Sequence, residues 1–438
     1  MAVASAPHPP ADDCSGPFDP AWRLDRLSRA ALARLGREVM LVSMLHDRSL
    51  MPHVATRGGT TESVQLADDE WMCASPIYTA RNRAALGIDG TGAGDILKSF
   101  QFDIGMPHQF LDFHGEVVGP DLAYFWLPYC GAHDYVRFVS GNDEGVVRMM
   151  CHQMEDNTFD ATLKATNPRA RCLPVHRPPK PDVIEGEHCR WEVRILDGDQ
   201  PARDDNPNLP VMRATAAASF THTLGPDHQP GGLPDYAGPF VPGLRLEDLA
   251  HGVLVRQVKE FALDVHLLMR AAYLSVERRH GADVLATAAV EHIAALAPPL
   301  VQRLTEAMAI TGDGADAIAK VLQLNPLLPP DYVTTTVEVI DARTVRVSVS
   351  GEGLDDRATP SPLDLLADDR PALLHELARA VNPRVRTTRV SAHEPVWLVT
   401  IDPALDPEPE HPLAAIVGAH NFLDADMTPR PVPVALRT

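Results

Sequence analysis

A shift of 222 positions lays Pro76–Asp134 over Pro298–Asp356 without a gap, and fifteen of the 59 paired positions are identical. The identities include Gly90/Gly312, Gly92/Gly314, Pro107/Pro329, Gly131/Gly353 and Asp134/Asp356. Further on, Asn167-Pro168-Arg169 recurs as Asn382-Pro383-Arg384, and the strand-like run opened by Trp191 recurs at Trp397. Two copies of one fold need the same residues to turn and pack. A residue kept by only one copy is therefore a candidate for chemistry.

The pattern of each copy predicts its architecture. Helical periodicity runs over 24–46, 71–86 and 93–102. A hairpin follows at 110–118 and 123–128, broken by Gly119-Pro120. A helix over 144–165 opens at Asn142-Asp143, and strands at 172–175 and 190–196 close the copy. Helices do not alternate with every strand, so the fold class predicted is α+β with antiparallel sheets. The whole reads as two tandem copies of one module (helices, β-hairpin, helix, antiparallel strands), packed as a pseudo-dimer. The expected boundaries are a disordered leader at 1–20, a first, functional module at 21–197, and a Pro/Gly-rich linker at 198–245. A second, degenerate module at 246–402 and a Pro-rich tail at 403–438 complete the chain.

Charge restricts the partners. The chain carries 59 acidic against 39 basic residues, a net charge of −20. A polyanion would be repelled, so neither nucleic acid nor an anionic membrane is expected as a partner. No run of 18 apolar residues and no basic-flanked apolar leader is seen, so a cytoplasmic protein is expected. The partners expected are a small-molecule substrate or ligand and, through self-association, a homo-oligomer.

The two copies differ in their thiols and imidazoles. All six cysteines fall in the first 189 residues. At the shared offset Cys130 becomes Glu352 and His133 becomes Asp355. The first copy is also about ten residues longer near Met150–Asp156, and its last loop holds Cys172, His176, His188 and Cys189. Cys151 and Glu155 stand four residues apart on one helical face, with His152 beside them. A thiol, an imidazole and carboxylates in that space form half of a metal site, or a nucleophile with acid–base groups.

The preferred ligand set is Cys151, His176 and Cys189, completed by His152 or Glu155, and this mixture favours zinc over magnesium or calcium. Glu155 or His152 is the expected general base, His133 the acid, and Cys130 or Cys151 the nucleophile of a metal-free variant. Phe100, Phe110, Phe113, Tyr124 and Trp126 are candidates to line an apolar pocket. Each cysteine, taken singly, also fits an ordinary small core residue.

Gly186-Glu187-His188-Cys189-Arg190-Trp191 is similar to the Gly-x-x-Cys-x-aromatic ending of a known domain. Residues 130–193 resemble the L-2-amino-thiazoline-4-carboxylate hydrolase-like and 4-vinyl-reductase-type domain family. In sensor members of the vinyl-reductase type, cysteines from a helix and the final strands hold a structural zinc with a carboxylate, beside an apolar ligand pocket. That resemblance implies Cys151 and Cys189 as ligands, with Cys172 or His176 as a third. The carboxylate-then-cysteine pair that precedes the last strand in that family is not evident around Cys172.

Two functions follow as expectations. One is a cytosolic metal- or thiol-dependent hydrolase or lyase acting on a small organic substrate in the first module. The other is a small-molecule sensor or carrier with a structural zinc.

Overall fold

The computed structural model describes residues 10–179, 187–198, 205–224, 229–367, 371–390 and 394–419. The first half opens with two long helices, α1 (Arg29–Gly58) and α2 (Thr60–Leu86), and the short α3 (Ala93–Gln101). Strands β1 (His114–Gly119) and β2 (Leu122–Leu127) form the hairpin. Helices α4 (Gly131–Val139), α5 (Glu144–Arg148) and α6 (Glu155–Thr166) precede β3 (Ala170–His176) and β4 (Cys189–Ile195). The second half repeats the plan with α7 (His251–His280), α8 (Ala282–Ala307), α9 (Ala315–Leu324), β5 (Thr334–Asp341), β6 (Thr344–Ser350), α10 (Ala372–Arg379), β7 (Val385–Arg389) and β8 (Val396–Ile401).

The fold is α+β, with one four-stranded antiparallel sheet in each half. The strand orders are β1-β2-β4-β3 and β5-β6-β8-β7, which is the same topology. Within them Phe125 stands opposite Trp191, and Val347 opposite Trp397. Both tryptophans are fully buried, so the recurring aromatic closes each core.

The repeat extends upstream of the stretch in which it is plainest. Gly59 (φ 64°) separates α1 from α2, and Gly281 (φ 92°), 222 positions on, separates α7 from α8. Only a residue without Cβ takes such angles cheaply. The first helix, expected to end at 46, continues through Pro52 to Gly58. Proline removes one helical hydrogen bond, but Leu50 and Val54 on either side are buried, and packing outweighs the local loss.

Segments expected as leader and linker carry reciprocal contacts. Cys14 N–H donates to the Met308 carbonyl (2.8 Å), and Tyr236 N–H donates to the Leu86 carbonyl (2.6 Å). The Gln323 amide reaches the Asp19 carbonyl at 3.2 Å, and the Gln101 amide reaches that of Val241 at 2.8 Å. Arg303 pairs with Glu38 and Arg81 with Glu260. Every one of these contacts becomes its twin when both partners move by 222 in opposite senses. Met1–Pro9 and the tail from residue 420 lie outside the described residues.

One apolar cluster runs from Leu24 to Val417 and draws on both halves. Its centre is the bundle of α1, α2, α7 and α8. Among the described residues, α8 alone is long and apolar enough to cross a bilayer (mean hydropathy 1.6), and 61% of that window is buried inside the fold.

Candidate active site

Helix α5 does not run smoothly into α6. Met149–Met154 form a π-helical turn between them, inside the stretch that makes the first copy longer. Such turns are rare and concentrate at functional sites, because the extra residue rotates the side chains that follow. Here Met150, Met154 and Glu155 line a cavity of about 140 Å³ in the first half. Its walls also come from α1 (Met44, Asp47), α2 (Trp71, Ser75, Tyr78) and the loop after α3 (Asp103, Met106). Cys130, Phe100 and Phe159 complete the part of the lining that matters for chemistry.

The polar groups of this cavity are connected. The Ser75 and Tyr78 hydroxyls lie 2.9 Å apart, and Tyr78 donates to the Asp103 carboxylate at 2.9 Å. Gly105 N–H donates to the same oxygen at 2.7 Å. Burial nevertheless pushes the Asp103 carboxyl up to about 6. Glu155, whose side chain is half-buried on the cavity wall, is pushed by burial up to about 7, against the pull of Arg177. A carboxyl poised near neutrality can both give and take a proton. No lysine or arginine is among the lining residues, so the cavity suits a neutral or cationic guest.

The second half does not carry this lining. At the shared offset Asp47, Trp71, Ser75, Tyr78 and Asp103 become Met269, Ile293, Ala297, Leu300 and Asn325. Gly105 and Met106 become Leu327 and Leu328, both buried. The equivalents of these polar groups are thus apolar or, at Asn325, an amide, while Glu352 and the buried His266 stand at the equivalents of Cys130 and Met44.

Of the candidate residues read from the sequence, Cys130, Cys151, Cys189 and Glu155 stand close enough for their charges to act on one another. Cys130 and Glu155 line the cavity, and Cys151 is buried in the π turn. Cys189 is buried on β4 opposite Leu127. Burial pushes the Cys130 and Cys151 thiols well up, with Glu155 adding to both, so neither is an activated thiolate. His152 Nε2 bonds the Pro178 carbonyl at 2.9 Å, and His176 Nε2 pairs with Glu187 at 2.9 Å. Gly186 lies outside the described residues. Of the aromatics, Phe100 lines the cavity, Phe110 and Phe113 are buried, and Trp126 stacks on His114 at 5.8 Å.

The expected set, Cys151, His176 and Cys189 completed by His152 or Glu155, is not among the groups of described residues whose ligand atoms all lie within 4.8 Å of one another. Among the described residues, two other groups bring them within 4.8 Å of one another: His133–Asp134–His188, and His46–Asp47–Glu70. The first contains the expected acid, His133, whose ring centroid is 4.8 Å from that of His188.

The second group lies where α1 and α2 meet the second half. His46 and Glu70 are fully buried, and Asp47 also faces the cavity. Burial pushes Glu70 up to about 8 and Asp47 well up, while it pulls His46 down to about 4. His46, Asp47 and Glu70 precede the window in which the repeat is plainest. Extending the same offset upstream, to Leu24/Leu246 and Arg48/Arg270, would have exposed them. Asp103/Asn325 stood inside the window and carried the signal already.

Comparison with family models, with curated proteins and with solved structures finds no match to this chain.

Proposed function

We propose that the protein is an enzyme acting on a small neutral or cationic organic molecule held in the first-half cavity. The single observation behind this reading is the contrast between halves: an acidic cavity in the first, and apolar or amide side chains at the equivalents of Asp47, Ser75, Tyr78 and Asp103 in the second. The reaction class is hydrolysis or lyase-type elimination. Glu155 acts as the general base and then as the acid, and the Ser75–Tyr78–Asp103 chain orients the guest or donates to its developing charge. The cytoplasm is its expected compartment. The two halves pack as a pseudo-dimer, in which the second copy supports the first, and the whole can self-associate as a homo-oligomer.

A panel of small aryl esters, amides and amine-bearing lactams tests this reading. General-base catalysis contributes on the order of 10²–10⁴ in rate, so Glu155→Gln should lose at least about 100-fold in kcat while keeping its fold. Equal turnover by wild type and variant would sink it.

A second reading is favoured by the His133–Asp134–His188 group. Two imidazoles and a carboxylate suit zinc better than magnesium or calcium. If zinc there is structural, the cavity serves a carrier or sensor. A panel that raises Tm without being turned over would favour that reading.

A further inference from the structure

The group formed by His46, Asp47 and Glu70 has a property that ordinary buried clusters lack. His46 Nε2, Asp47 Oδ1 and Glu70 Oε1 each lack a hydrogen-bond partner, although all three atoms are buried. Buried polar atoms are nearly always paired, and these three side chains, two of them also bonded to each other and to Trp71, bring ligand atoms within 4.8 Å of one another, which points to a shared occupant. His46 Nε2 stands 3.5 Å from Glu70 Oε2, too long for a good hydrogen bond. Among the described residues, no lysine or arginine makes an ion pair with either carboxylate.

The other side of the imidazole is firmly held. His46 Nδ1 lies 2.9 Å from His292 Nε2, and His292 Nδ1 lies 2.8 Å from the Tyr273 hydroxyl. When His46 Nδ1–H donates to His292, and His292 Nδ1–H donates to the tyrosine oxygen, the His46 Nε2 lone pair faces the two carboxylates. Metal-bound histidines show this arrangement, with the distal N–H fixed by a second partner. The holders, His292 and Tyr273, come from the second half. The pattern is again asymmetric, since the equivalents of His46, Asp47 and Glu70 are Leu268, Met269 and His292.

We propose that His46 Nε2, Asp47 and Glu70 bind one divalent transition-metal ion of the zinc, manganese or iron(II) class, on the wall of the first-half cavity. A dication cancels the two carboxylate charges, so the buried site becomes neutral. An imidazole nitrogen disfavours magnesium and calcium. Because Asp47 lines the cavity, a remaining coordination position is reachable by a small guest. The rival occupant is a proton shared by Asp47 and Glu70.

The test uses the full chain, stripped with a chelator and titrated with Zn²⁺ and Co²⁺. Bound metal is measured by elemental analysis, and the Co²⁺ visible spectrum reports the ligand field. Wild type should take up one equivalent through this site, with proton release and a rise in Tm. His46→Gln and Glu70→Gln should weaken binding at least about tenfold. His292→Gln, with every ligand intact, should weaken it about 10–100-fold, as loss of such support does. A His133→Ala/His188→Ala double variant should keep this equivalent.

No bound metal in wild type, or binding unchanged in Glu70→Gln and His46→Gln, overturns the proposal in favour of the shared proton. Glu70→Gln matches the shape of the protonated side chain, and its fold is checked by circular dichroism. Should it still unfold, His292→Gln decides. None of these measurements uses a substrate, so their outcome is separable from that of the proposed reaction.

Discussion

Tyr78 donates its phenolic hydrogen to Asp103 across 2.9 Å inside the cavity, and the equivalent pair in the second half is Leu300 and Asn325. One copy spends a buried acid and its donor where the other has leucine and an amide. Leu300 is buried, and so is Asn325. Tyr78→Phe removes the donor and leaves Asp103 with Gly105 N–H on that oxygen. The variant should lose about 1–3 kcal/mol of stability, measured by urea unfolding, because a buried carboxyl loses its partner. A variant as stable as wild type would show that the chain does not hold the cavity.

The pH dependence of Glu155 has a definite sign. Burial raises its carboxyl to about 7, so the folded protein binds a proton that the unfolded chain has released. Its contribution to stability is then fullest below the unfolded value and is lost as pH rises towards 7. Glu155→Gln should therefore be more stable than wild type at pH 8, by on the order of 1–3 kcal/mol, with the gain gone near pH 4. Parallel stability–pH curves for the two proteins would contradict this.

The π turn sets the direction of Glu155. An α-helix advances 100° per residue, so removing one residue from Met149–Met154 would turn all that follows by about that angle. Deleting the exposed Gln153 should convert the turn to α-helix and carry Glu155 away from the cavity. Secondary structure by circular dichroism should hardly change, while turnover or ligand binding should fall at least about tenfold. Retained binding would show that the turn is not what aims Glu155.

Much of the fold was legible because its sequence pattern recurs at an offset of 222. In the first half the hairpin, the last helix and the closing strands match their sequence ranges to within a few residues, and Asp143 caps α5 as expected by accepting from Gly145 and Val146 N–H. The 46–71 stretch was not. Pro52 and Gly58-Gly59 interrupt the helical pattern there, and only tertiary burial shows that α1 runs through the proline. The thiols drew attention because they were confined to one copy, but confinement also describes core cysteines, and burial keeps Cys130 and Cys151 protonated. The carboxylates Asp47 and Glu70 were invisible for another reason. They are 23 residues apart on separate helices, and only the packing of α1 on α2 brings them together.

Asp134 and Asp356 stand at equivalent positions of the two halves, and their environments differ. In the second half Asp356 accepts from the buried Arg270 and from Tyr332 (2.8 Å), and these donors hold its carboxyl down at about 2. Arg48, the twin of Arg270, instead lies 3.9 Å over the Tyr135 ring and donates to the Val417 carbonyl at 3.1 Å. Asp134 is then half-buried and grouped with His133 and His188.

Removing Asp356 would leave the Arg270 charge buried without its partner. Asp356→Ala should cost about 3–5 kcal/mol in urea unfolding at pH 7, the usual penalty for breaking a buried pair. Its contribution is present above the unfolded carboxylate value and fades as pH falls towards 2. Asp134→Ala should cost less than about 1 kcal/mol, since a partly exposed carboxylate leaves no stranded buried charge. It should instead weaken any zinc held with His133 and His188. Equal costs for the two substitutions would mean that the first copy still uses its aspartate to hold the fold, and would remove Asp134 from consideration as a ligand.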